Sequence, residues 1–174
     1  CFIDEPILSA FGSSTYVSVQ REDVVAKLSE VIEAIHREGA IAGIHCCGNT
    51  DWSILVDAGV DIMNFDAYEF GRTVALYPEH MRKQIVERGN ALAWGIVPTS
   101  SVIRQESVES LVARFDDVVG HLSKQAGIAV PIIVQQAFLC PSCGTGSLEV
   151  ADAERVFALL RDTSRALRKR YGFA

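Results

Sequence analysis

The sequence predicts an α/β fold in which a parallel sheet is covered by helices. Three observations carry that expectation. Five short apolar runs recur along the chain, each followed by a segment with helical spacing. The runs are nearly continuous in apolar residues, as strands of covered parallel sheets are. Glycine or proline marks many of the boundaries between the two kinds of segment.

In order, "CFIDEP" (1–6) is the first expected strand, stopped by Pro6, and a polar loop "SAFGSSTYVS" follows. Residues 22–38 predict a helix, because Val24, Val25, Leu28, Val31, Ile32 and Ile35 recur on one face and Gly39 is placed to end it. "AIAGIHC" (40–46) is the second strand, and a short helix follows Asp51 and stops at Gly59. "VDIMNFDAY" (60–68) is the third strand. "PEHMRKQIVERG" (78–89) has proline in its first turn and glycine past its end, the usual asymmetry of a helix. "ALAWGIV" (91–97) is the fourth strand, and residues 106–125 form a helix with Leu111, Phe115, Val118 and Leu122 inward. "VPIIVQQAF" (130–138) is the fifth strand, a Cys/Gly-rich loop spans 139–147, and a last helix runs from about 152 to 168.

Five β/α units are too few for an eight-stranded barrel, so two arrangements remain: an open sheet, or part of a barrel. The chain starts at Cys1 in the middle of an apparent strand, which favours the second. The expected fold is therefore a (β/α)8 TIM-type barrel. Residues 1–174 would form its C-terminal five units, with the N-terminal units missing and needed, in the same protein or from a partner chain, to complete the fold. No Gly-x-Gly-x-x-Gly follows the first strand, so a dinucleotide-binding sheet has no local support.

Composition bounds the function. A hydrophobic fraction of 49% and a charged fraction of 22% fit a globular domain with one core. The net charge of −6 argues against bulk electrostatic binding to nucleic acid or anionic lipid. No apolar run reaches the roughly 18–20 residues that span a bilayer, and the N-terminus lacks the pattern of a signal peptide. Five cysteines is an odd count, and four lie in two tight pairs, Cys46–Cys47 and Cys140–Cys143. That pattern suits a reducing, cytoplasmic setting and a metal or thiol role better than a disulfide framework.

Metal-competent residues gather where strands end: Asp4 and Glu5; His45, Cys46 and Cys47; Asp66 and Glu69; Cys140 and Cys143. In parallel α/β architectures those ends share one face, where ligand sites form. His45, Cys47, Glu69 and Cys143 would supply one nitrogen, two sulfurs and an oxygen, a donor set that suits Zn2+. Alternate residues of an extended chain point the same way, so His45 and Cys47 can share an ion while Cys46 faces the opposite side. Asp66 competes with Glu69 for its place, and Cys140 with Cys143.

The His45-Cys46-Cys47 segment, a glutamate 24 positions after the histidine (69 − 45) and the later Pro141-Ser142-Cys143-Gly144 resemble cobalamin-independent methionine synthase. "IDEP" (3–6) is similar to that family's strand with an amino-group-binding aspartate, and "HCCGNT" to the zinc methyltransferases that methylate coenzyme M. Both share a barrel with uroporphyrinogen decarboxylase. The resemblance implies zinc-dependent transfer of a methyl group to a small-molecule thiol such as homocysteine, with Asp4 pairing with its ammonium group. The donor would be a methylfolate or a methyl-corrinoid protein. Nothing in the chain represents the second barrel of the complete methionine synthase, which leaves the corrinoid donor at least as well supported.

Two other readings stand beside this one: a non-catalytic zinc-binding module, and a metal-free lyase of the porphyrin decarboxylase type. The lyase lacks an arginine cluster at the strand ends. Cys1 and Cys46 are expected to be small apolar filler and Glu5 structural. His36, His80 and His121 are expected on helix surfaces, Trp52 and Trp94 in the core, and the basic run 165–172 at a solvated helix end.

Overall fold

A computed structural model describes residues 1–173. Its strands are β1 (Phe2–Asp4), β2 (Gly43–Cys46), β3 (Ile62–Phe65), β4 (Ala91–Val97) and β5 (Ala137–Pro141). They form one sheet in the order β1-β2-β3-β4-β5, and every adjacent pair is parallel. The helices are α1 (Arg21–Arg37), α2 (Trp52–Ala58), α3 (Ala67–Phe70), α4 (Pro78–Arg82), α5 (Val108–Ala126), α6 (Val130–Gln135) and α7 (Val150–Tyr171). Among the described residues no helix is long and apolar enough to cross a membrane.

Sequential order matters for the site. Right-handed crossovers between successive parallel neighbours place the connecting helices on one side of the sheet. A chain of aromatic contacts traces that side: Trp52 of α2 to Phe65 of β3 (5.5 Å between ring centroids), Phe65 to Trp94 of β4 (5.1 Å), Trp94 to Phe115 of α5 (5.7 Å) and Phe115 to Tyr171 of α7 (6.5 Å). On this face Ile44, Cys46, Met63, Phe65, Leu92, Trp94 and Ile96 are at most 1% exposed, and Ile3, Ala137 and Leu139 of the two edge strands are half-buried. The other face is open except at Gly43 of β2 and Ala93 and Gly95 of β4, which are buried. Phe2 and Phe138 on it are 55% and 57% exposed, and His45, Ile62, Asn64 and Cys140 are half-buried. The arrangement is compatible with part of a β/α barrel. β4 follows the expectation of a near-continuously buried strand, whereas β2 and β3 place the polar His45 and Asn64 on this second face.

Local chemistry explains the element ends. Glu22 and Asp23 open α1, and His36 and Arg37 close it, as the helix dipole favours. Asp51 caps α2 by accepting from the Ser53 N–H at 3.0 Å, and Gly59 ends it at φ 91°, where a Cβ would be strained. Ser107 and Ser110 cap α5 reciprocally.

The fifth predicted strand is displaced. Of residues 130–138, Val130–Gln135 are helical, and β5 begins only at Ala137. Pro131 is the reason: it has no N–H for a sheet ladder but is well placed in the first turn of a helix. Ile133 and Val134 then face the core while Ile132 is 41% exposed. The third strand ends at Phe65, three residues earlier than expected, because the Asp66 side chain accepts from the Glu69 N–H at 2.9 Å and starts α3. The first and second strands are also shorter than expected, and helix 78–89 divides into α4 and a π-helical turn, Lys83–Glu87. In that turn Gln84 is buried and its Nε2 donates to the Val60 carbonyl at 3.1 Å. Cys1 is exposed and fills nothing, contrary to expectation. Cys46, Trp52 and Trp94 are fully buried, and His36, His80 and His121 lie on α1, α4 and α5.

Candidate metal centre

Two chain segments build the site. The first is the end of β2. His45 is on the open face and Cys46 on the dry face, where its thiol donates to the Gly48 carbonyl at 3.5 Å. Cys47, just past the strand, is half-buried. The turn that follows is tied down: the Thr50 hydroxyl donates to the Leu8 carbonyl at 2.7 Å, and a Cβ on Gly48 would sit 2.5 Å from the Cβ of Ser9.

The second segment leaves β5. The Ser142 N–H donates to the Val97 carbonyl at 2.8 Å, and the Thr99 N–H donates to the buried Ser142 hydroxyl at 3.2 Å. These contacts hold the start of the loop against the end of β4 and carry Cys143 back toward β2. Gly95 permits the approach, since a Cβ there would meet the Phe65 carbonyl oxygen at 2.6 Å and the Ser142 Cα at 2.8 Å.

Together they bring one donor atom each from His45, Cys47 and Cys143 within 4.8 Å of one another. Two ligands about 2.3 Å from a tetrahedral zinc lie about 3.8 Å apart. The trio is therefore at most about one ångström wider than a closed shell. Imidazole and thiol are also the donor types that suit zinc and other borderline or soft cations.

The other expected residues lie around this trio. Glu69, on α3, is exposed and is not one of the mutually close donors. It stands instead on a cleft of about 200 Å³ together with Asp66, Tyr68, Thr99, Ser142 and Cys143. Asp4 is exposed and pairs in register with His45, one strand away on the same open face. The Glu5 N–H donates to the His45 carbonyl at 2.9 Å, a backbone role. Cys140 is within β5 rather than in a loop, opposite Gly95, and is not one of the trio. A wider cleft of about 300 Å³ between α6, β5 and α7 is lined by residues that include Phe115, Phe138 and Leu167, none of them a His, Cys, Asp or Glu. Its size does not outweigh the chemistry of the smaller one.

Burial governs the thiols. It pushes the Cys47 thiol up, and the neighbouring Cys143 sulfur adds to the effect. It pushes Cys46 up as well, and Cys140 up to about 11 against a smaller opposing effect of the Asn64 amide. Burial also raises Asp66, although the Glu69 N–H partly stabilises its carboxylate. A cation bound by Cys47 would have to displace that proton, so metal affinity should rise with pH.

One residue at the centre escaped the sequence reading. Asn64 of β3 accepts through Oδ1 at 2.7 Å from Nδ1 of His45, and its Nδ2 lies 2.9 Å from the Ala93 carbonyl and 3.0 Å from the Cys140 sulfur. A lone asparagine in an apolar strand was the only available signal. No family model matches the chain, and no curated protein or solved structure matches it.

Proposed function

We propose that the chain is a sector of a (β/α)8 barrel carrying a zinc-dependent thiol methyltransferase site of the cobalamin-independent methionine synthase type. The observation that carries the reading is the meeting of His45, Cys47 and Cys143, drawn from two β/α units almost a hundred positions apart, at the strand ends. The open sheet face and its two exposed phenylalanines support the barrel, whose remaining units would cover them.

His45, Cys47 and Cys143 would hold the ion, which when bound lowers the pKa of a coordinated thiol and keeps its sulfur nucleophilic at neutral pH. Three protein donors leave one position open, and Glu69 on the cleft rim is the candidate for it when no thiol is present. The substrate thiol gives its proton to solvent, and its sulfur forms a bond to the donor's methyl carbon. The bond from that carbon to the methyltetrahydrofolate nitrogen or the corrinoid cobalt breaks, and its electron pair stays with the leaving group. Asp4, one strand from His45, pairs with the ammonium group of an amino-acid thiol such as homocysteine. The exposure of Cys143 beside a cleft favours this reading over a closed, purely structural zinc module.

Elemental analysis of the purified chain tests the metal centre. Stoichiometric zinc is expected in the wild type and in Cys46→Ser and Cys140→Ser, with loss in Cys47→Ser and Cys143→Ser. Homocysteine added to the cobalt-substituted chain should then change the visible spectrum as sulfur enters the coordination shell. Zinc retained by both Cys47→Ser and Cys143→Ser overturns the ligand assignment. A cobalt spectrum indifferent to thiol overturns the catalytic one.

A further inference from the structure

We infer that Asn64 is the positioning residue of the metal centre: it locks the His45 ring in the tautomer that offers Nε2 to the ion. The inference rests on the reading of His45 as a ligand and adds to it which nitrogen coordinates and what fixes it.

Hydrogen-bond chemistry leaves one consistent assignment. The backbone carbonyl of Ala93 can only accept, so the Asn64 atom 2.9 Å from it must be the amide nitrogen. The opposite orientation would set two acceptor oxygens against each other. The remaining amide atom, 2.7 Å from His45 Nδ1, is then the oxygen and can only accept. Nδ1 therefore carries the proton. In a neutral imidazole this leaves the lone pair on Nε2, the form in which metal-bound histidines are commonly held by an outer partner.

The second amide hydrogen is directed at the Cys140 sulfur at 3.0 Å. Both donors and the acceptor of Asn64 thus have partners, which leaves the amide no equivalent flipped state. Strand register supplies the geometry. His45, Asn64 and Ala93 are direct cross-strand partners on β2, β3 and β4, all on the open face. Cys140 gains a role in this arrangement without being a ligand: its sulfur, buried and mostly protonated, is an acceptor that helps hold the amide.

The test compares zinc affinity, by competition with a chromogenic chelator, in the wild type, Asn64→Leu and Asn64→Asp, with the His45 ring nitrogens of the metal-free chains followed by 15N NMR. Asn64→Leu removes the acceptor and should weaken zinc binding by about 10–100-fold, and its ring should no longer be fixed as Nδ1–H. Asn64→Asp keeps an acceptor toward Nδ1 and should restore the Nδ1–H tautomer, but its second oxygen replaces the donor to the Ala93 carbonyl, so its affinity should lie between those of the other two. Unchanged affinity and tautomer in Asn64→Leu overturn the inference while leaving the metal centre standing. A wild-type ring protonated at Nε2 overturns it even if Asn64→Leu fails to fold. A wild-type chain that binds no zinc removes the metal reading itself, and this inference with it.

Discussion

Replacing Gly95 with alanine tests the joint between β4 and β5 on which the position of Cys143 depends. The new Cβ would lie 2.6 Å from the Phe65 carbonyl oxygen, 2.8 Å from the Ser142 Cα and 3.1 Å from the Pro141 carbonyl oxygen. Carbon contacts are comfortable at about 3.5 Å or more, so the closest is short by almost an ångström. All three neighbours are backbone atoms, so no side chain can rotate away and the strands themselves must part. Overpacking of this kind costs about 1–3 kcal/mol, against about 0.4–1 kcal/mol gained by restricting the unfolded chain. Gly120→Ala is the matched control. Gly120 is exposed within α5 with nothing within 4 Å of its would-be Cβ, so alanine there should stabilise by about 0.5–1 kcal/mol. The two variants should differ by about 2 kcal/mol, or about 1 M in urea midpoint at a slope near 2 kcal/mol/M. Gly95→Ala should also bind zinc more weakly than Gly120→Ala, because moving Ser142 moves Cys143. A Gly95→Ala midpoint at or above that of the wild type would refute the close approach of the two strands.

The thiols give a second check. At pH 8, alkylation followed by peptide mass spectrometry should find Cys1 and Cys143 modified first and Cys46 last. Cys140, pushed up to about 11, holds about one part in a thousand as thiolate at that pH and should lag too. Added zinc should protect Cys143 and Cys47 but leave Cys1 reactive. A third check is acid stability. Burial alone would raise the Asp57 carboxyl, but hydrogen bonds from Arg21 and Lys83 and the charge of His80 outweigh it and hold it below its ordinary 3.8. Stability from this group is therefore present above pH 3.8 and lost as pH falls through the lower folded value. Asp57→Asn should be less stable at neutral pH, and its urea midpoint should fall less steeply below about pH 4; a wild-type acid limb no steeper than the variant's contradicts the pairing.

The β/α alternation was legible in the sequence because burial on the helix side demands apolar residues, and the helices carry their own capping and spacing signals. β4 appears with the expected bounds, since its seven-residue run has neither proline nor a capping acid inside it. The apolar content of "VPIIV" predicts a strand, whereas its proline suits the first turn of the helix that forms there. A short apolar run of that kind does not distinguish a buried strand from a buried turn of helix. Glu69 stands out in the sequence as a carboxylate just past the third strand. Spacing along the chain did not reveal that Asp66 would start a helix and leave Glu69 on its exposed side. Asn64 was invisible for a deeper reason: all its partners lie across the sheet, and the pairing register cannot be read from one strand.

That register links the core to the chemistry. In β3, Met63 and Phe65 are fully buried against the helices, while Ile62 and Asn64 face the open side. A slip of one residue would reverse the two pairs. It would place the Asn64 amide among Trp52, Trp94 and the α5 side chains with no partner, at a cost of about 1–3 kcal/mol, and would bring Phe65 out beside His45. The aromatic contacts of Phe65 with Trp52 and Trp94, at 5.5 and 5.1 Å, oppose that slip from the opposite face of the sheet. Residues that never approach the donors thus determine which atom meets Nδ1 of His45. A core variant such as Phe65→Ala should consequently disturb the His45 tautomer as well as stability, whereas an equally destabilising truncation far from β3 should lower stability and leave the tautomer unchanged.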